Sequence, residues 1–188
     1  MPDETITAMT APALDTETLG RAAAVRTARR LLEPGAAIIL DTETTGLEGH
    51  TVEIAVLDTA GHELLNTLVR PPTPIELEAQ LVHGIAMTDL SAAPSWSQIL
   101  PRLLRITAGR TIIAYNAPFD AAVLARDSAA AGLSLEHLAD TRTWQCLMQL
   151  RTEWDGTGER TRLTGTHRAA GDCRAALELL HQIAAGGR

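Results

Sequence analysis

The sequence predicts an α/β domain, and three observations carry that expectation. The chain has 188 residues, 45% of them apolar, and a formal charge of −7, which suits a globular fold that buries its own core. Short apolar runs of strand length alternate with longer stretches of helical period. Glycine and proline mark most of the breaks between them.

Residues 1–15 are polar, rich in Thr, Ala and Pro and without period, so a flexible tail is expected there, with residues 16–188 as one domain. A helix is expected over 16–33: Asp15 can cap it, Leu19, Val25, Leu31 and Leu32 are its larger apolar residues, and Pro34-Gly35 stops it. The run AAIIL (36–40) then reads as a buried strand ending at the polar cluster Asp41-Thr42-Glu43-Thr44-Thr45-Gly46. Strands at 51–58 and 62–70 flank the hairpin-like interval 59–61, and prolines 71, 72 and 74 close this meander. Helices follow at about 75–82 and 94–107. Thr111 to Tyr115 is a further buried strand running into Asn116-Ala117-Pro118-Phe119-Asp120 and a helix to about 131, with Asn116 able to act as N-cap and Pro118 in the first turn. A short strand is expected near 138–140, a helix at 143–151, a polar loop at 152–166, and a last helix from near His167 or Ala169 to about 185 before Gly186-Gly187.

The charge balance excludes a protein that coats nucleic acid by bulk positive charge, though not an enzyme that acts on it. All 16 basic residues are arginines, and 31 alanines beside them point to a compositional bias, so only the placement of the arginines is informative. Cys146 and Cys173 make neither a disulfide framework nor a zinc site and read as small buried side chains. No apolar run reaches the length of a membrane span and the N-terminus lacks the pattern of a signal peptide, so a cytoplasmic location without membrane contact is expected.

Three groups of residues carry candidate chemistry. Asp41 and Glu43 are two apart on a strand and share a face; two carboxylates held together call for a proton or a cation between them, and hard oxygen ligands favour Mg²⁺ or Mn²⁺. The near-copy of this string at 15–20 has no preceding strand, so Asp15 and Glu17 are assigned to helix capping. Asn116 and Asp120 share one side of a helix start, where a further strand delivers Asp120 to the same sheet end. His167 and Asp172 are five apart, about 140° around a regular helix, which suits a histidine leaning over the site from the loop or first turn while Asp172 faces the metals. His50 and His62 read as turn residues and His137 and His181 as packing or surface positions; His83 is either a loop histidine or a contact to a terminal sugar.

In order, Asp41-x-Glu43, Asn116-x-x-Phe119-Asp120 and His167-x-Ala169-x-x-Asp172 resemble the DEDDh, or DnaQ-like, family of 3′-to-5′ exonucleases, similar to bacterial proofreading subunits, ribonuclease T and oligoribonuclease. The resemblance covers about 36–185 and takes in His83-Gly84-Ile85. It implies a ribonuclease H-like fold, a five-stranded mixed sheet flanked by helices. It implies two divalent ions, Mg²⁺ or Mn²⁺, held by Asp41, Glu43, Asp120 and Asp172, with His167 as general base, a role suited to an imidazole. The substrate is expected to be the 3′ end of single-stranded DNA or RNA, with a polymerase or a second copy of the chain as a protein partner. Thr44, Leu47, His83, Ile85, Asn116, Phe119 and Arg168 are the expected substrate contacts, with Leu47, Ile85, Met87 and Phe119 pressing on the last bases and Arg160, Arg162, Arg168 and Arg174 near the backbone. The interval 150–165 is shorter and more polar than in the proofreading subunits. Two other readings are a non-catalytic binding module on the same fold, docking through helix 16–33, and a hydrolase of free nucleotides.

Overall fold

In the computed structural model, which describes residues 16–159 and 161–187, the organising element is the strand β1 (Ala37–Thr44). On one side it pairs antiparallel with β2 (Thr51–Asp58), which pairs antiparallel with β3 (Glu63–Leu68). On the other it pairs parallel with β4 (Thr111–Ala114), which pairs parallel with β5 (Trp144–Cys146). The result is a five-stranded mixed sheet of order β3-β2-β1-β4-β5. The helices are α1 (Thr16–Leu31), α2 (Leu77–His83), α3 (Trp96–Thr107), α4 (Ala117–Ala130), α5 (Leu147–Asp155) and α6 (Ala169–Ala185). The expected tail, the Asp15 cap and Arg160 lie outside the described residues.

Alternation along β1 decides which layer each side chain serves, because successive residues point to opposite faces. Ala37 and Ile39 join Ala55, Leu57 and Ile113 under Leu179, Leu180 and Ile183 of α6, with α1 and α5 completing that layer. Ile38, Leu40, Ile54, Val56 and Ile112 face the other way, onto Leu100 and Leu103 of α3 and Leu124 of α4. Carried forward, the first register puts Asp41 and Glu43 on the α6 face and Thr42 on the α4 face.

Several expectations need correction. β1 does not stop at Leu40: its ladder with β2 continues through Asp41, Glu43 and Thr44, with an irregularity between the last two, because paired backbone groups hold polar residues in a strand as readily as apolar ones. The strand expected near 138–140 is instead a 3₁₀ turn, Glu136–Ala139, that buries Leu138. A second turn, Thr141–Thr143, follows, with the Asp140 side chain accepting from the Arg142 amide. β5 begins only at Trp144; it is a three-residue edge strand, too short to show an alternation. The following helix is displaced to 147–155, since Leu147, Leu150 and Trp154 at helical spacing all pack into the α6-side core. Asn116 stands at the N-cap of α4 without a side-chain capping bond; its carbonyl accepts from the Phe119 amide at 2.8 Å. Cys173 is buried, as expected, but Cys146 is only half-buried.

Candidate active site

The end of β1 gathers the acidic residues. Oxygen atoms of Asp41, Glu43 and Asp172 all lie within 4.8 Å of one another. Asp41 and Glu43 reach this point from the α6 face of β1, and Asp172 from the first turn of α6. Asp120, in the first turn of α4, comes from the opposite face and is 4% exposed; Thr42, between the two β1 acids, donates its hydroxyl to Asp120 Oδ1 at 2.8 Å.

Burial and mutual repulsion make this cluster costly to ionise. Desolvation, then the Asp120 and Glu43 charges, holds the Asp41 carboxyl well above the usual range. Desolvation followed by Asp172 and Glu53 pushes Glu43 up to about 8. Desolvation raises Asp120 to about 7 against the lowering effect of the Thr42 hydrogen bond. Acids that resist losing their protons here would lose them readily to a bound cation. The donor set is all oxygen, so the residues fit a hard divalent ion.

Asp172 also organises the segment before α6. Its Oδ1 accepts the amides of Thr166 at 2.8 Å and His167 at 3.1 Å. His167 takes a φ of 53°, rare for a residue with a side chain, and is exposed. Gly165 passes so close to Asp172 that any Cβ would overlap the carboxylate. The rest of the loop is tied down by the Tyr115 hydroxyl, which donates to the Thr161 carbonyl, and by the Thr152 hydroxyl, which donates to the Glu159 carbonyl at 3.3 Å.

Beside Glu43 lies a groove of about 420 Å³ whose lining includes Thr44, Leu47, Val82, His83 and Phe119. Leu47 stands 85% exposed on its rim. His83 is buried with both ring nitrogens engaged: Nδ1 accepts the Ile85 amide at 3.0 Å, which leaves Nε2–H to donate to the Thr44 carbonyl at 3.2 Å. Burial lowers its pKa below the ordinary value, so it is a neutral brace in the groove wall. Thr44 donates its own hydroxyl to the Gly46 carbonyl at 2.8 Å. Asn116 belongs instead to a neighbouring groove with Pro118, Gln149 and Thr152.

Three further expected contacts stand elsewhere. Ile85 is 3% exposed and packs with Val52 and Leu90, so it supports the groove from behind. Arg168 has its guanidinium on Glu53, and Arg174 is paired with Glu63. Glu53, a single acid inside the apolar run of β2, has no local signal in the sequence; only the strand pairing reveals that it stands opposite Glu43. His50, read as a turn residue, closes the connection between β1 and β2, its carbonyl accepting the Thr45 amide at 2.8 Å, and its side chain adds a contact the sequence did not signal: Nδ1 lies 2.6 Å from Asp127 Oδ1, while Asp127 Oδ2 accepts the Thr51 amide at 3.1 Å and its hydroxyl at 2.5 Å.

A mixed five-stranded sheet with acids converging beside its central strand is the arrangement of nucleases with a ribonuclease H-like fold. Residues 38–180 match the RNase_T family model, described as exonuclease, and the chain belongs to that family. It is 32% identical to the uncharacterized exonuclease CP81 of Escherichia phage 186 over 175 residues, 80% of this chain and 89% of the phage protein. It is 36% identical to exodeoxyribonuclease 10 of Escherichia coli K12 over 89 residues, 46% of this chain and 39% of that protein, so it spans well under half of the latter. Among solved structures, exonuclease X in complex with 5′-overhanging duplex DNA superposes with a TM-score of 0.60 at 27% identity, covering 78% of this chain and 90% of that one.

Proposed function

We propose that the chain is a metal-dependent 3′-to-5′ exonuclease that releases 5′-mononucleotides from single-stranded 3′ ends, with DNA as the favoured substrate. The observation that carries this reading is the convergence of Asp41, Glu43 and Asp172 within 4.8 Å beside an open groove, with Asp120 one hydrogen bond away through Thr42. Kinship with a protein named an exodeoxyribonuclease supports the choice of DNA.

Two divalent cations, Mg²⁺ or Mn²⁺, bound by Asp41, Glu43, Asp120 and Asp172 would neutralise the scissile phosphodiester and stabilise the attacking and leaving oxygens. The groove of Thr44, Leu47, Val82 and Phe119 receives the terminal nucleotide, with a mostly apolar wall for the base. Because Glu43 is part of the same lining, a nucleotide packed there has its phosphate next to the acids. The imidazole of His167 takes the proton of the attacking water, as general base. A single-stranded end fits better than a paired one because the groove has room for one splayed nucleotide. A polymerase or a second copy of the chain is the expected protein partner.

The test is hydrolysis of 5′-end-labelled and 3′-end-labelled DNA and RNA oligomers with Mg²⁺, Mn²⁺ or EDTA. The expected result is release of the 3′-terminal label as a mononucleotide from DNA, none in EDTA, none from a circular single strand, and none with Asp41→Ala. Cleavage of circles would exclude an exonuclease. Binding of oligomers without product in either metal would favour the non-catalytic reading.

A further inference from the structure

Glu53 has no part in that chemistry, yet it is only 5% exposed and stands directly across the sheet from Glu43. A carboxylate in such a place is costly unless it is paired and hydrogen-bonded. Both its oxygens are committed. Arg168 Nη2 donates to Oε1 at 2.6 Å and Arg168 Nε donates to Oε2 at 3.0 Å, while the Ala169 amide also donates to Oε2, at 2.9 Å. Two parallel bonds from one guanidinium fix its plane as a single contact does not.

The position of this fork along the chain gives it meaning. Arg168 is the N-cap residue of α6 and Ala169 its first residue, and both follow His167 directly. On the other side, the His167 amide is held by Asp172 Oδ1. His167 is therefore pinned twice, through its own amide and through its neighbour's side chain, in a backbone conformation with φ of 53°.

We propose that Glu53 and Arg168 are a positioning pair that bolts the start of α6 to β2 and so sets where His167 stands relative to the acids. Arg168 is spent on Glu53 and is not a phosphate contact. The proposal rests on the nuclease reading above for its kinetic consequences, though not for its structural one. A guanidinium reserved for the substrate backbone would not turn two of its three nitrogens toward a buried carboxylate.

The experiment compares the full chain with Glu53→Gln, Arg168→Gln, Arg168→Lys and the Glu53→Gln/Arg168→Gln double variant, each checked by thermal melting. Glu53→Gln leaves no buried charge unpaired and keeps the test open should Arg168→Gln fail to fold. On single-stranded oligomers kcat is expected to fall about tenfold or more with KM changed less than about twofold. The double variant should be no worse than the poorer single one, since both remove one interaction. Arg168→Lys, which keeps the charge and loses the fork, should recover little. Amide hydrogen exchange at 166–169 should quicken in every variant. A raised KM with kcat intact and a shallower salt dependence for Arg168→Gln would show a phosphate contact and overturn the proposal, as would full activity in Arg168→Lys or unchanged exchange. An inactive wild-type chain in both metals would instead sink the nuclease reading, and the exchange measurement would still decide the pair.

Discussion

Glu43 and Asp120 keep their protons to about 8 and about 7, whereas in an unfolded chain both would release them near the ordinary carboxyl range. The metal-free folded state thus binds more protons than the unfolded one between those limits, and its stability must fall as pH rises through them. Melting temperature in EDTA is expected to decline from about pH 5 to about pH 8, with the decline flattened in Glu43→Gln. Asp41, held high by the same burial, adds to this trend. Such acids were readable in the sequence because each one follows or opens a recognisable element. Glu53 and Arg168 were not, because their pairing depends on the β1–β2 register and on the distance between β2 and α6, neither of which appears in local spacing. His83 reads from the sequence as either a loop histidine or a contact to a terminal sugar, and neither reading signals the ring locked between the Ile85 amide and the Thr44 carbonyl.

The loop from Thr45 to His50 shapes the groove, and α4 anchors it. Asp127 holds His50 and Thr51 on one side, and the Arg126 guanidinium donates to the Gly49 carbonyl on the other. Asp127→Ala strips three donors of their buried acceptor, so it should cost roughly 3 kcal/mol in urea denaturation and loosen the wall that carries Leu47. Asp127→Asn, which keeps the shape and one acceptor, should cost clearly less. Elements of strong period were foretold well: α3, α4 and α6 lie within about two residues of expectation. The failure came at β5 and α5, where a short edge strand between two 3₁₀ turns offers little periodicity and where the start of the helix is fixed by core contacts of Leu147 and Leu150.

Across the molecule, the fold brings together Asp41 and Glu43 of β1 with Asp172 of α6, and sets Asp120 of α4 beside them on Thr42. An unfolded chain holds no such cage, so a divalent ion binds the native state preferentially. Mn²⁺ at a hundred times its dissociation constant should stabilise the protein by about 2.7 kcal/mol, a rise in melting temperature that EDTA reverses and Asp41→Ala abolishes. Among the described residues no helix is long and apolar enough to cross a membrane.

Because Asp172 sits on α6, whose apolar face is pressed against β1 and β2, the acidic cluster is complete only once that helix has docked on the sheet. A chain folded only as far as β5 carries Asp41 and Glu43 without their third partner. The packing of one helix on two strands thus decides whether Asp41 and Glu43 have their third acid at all.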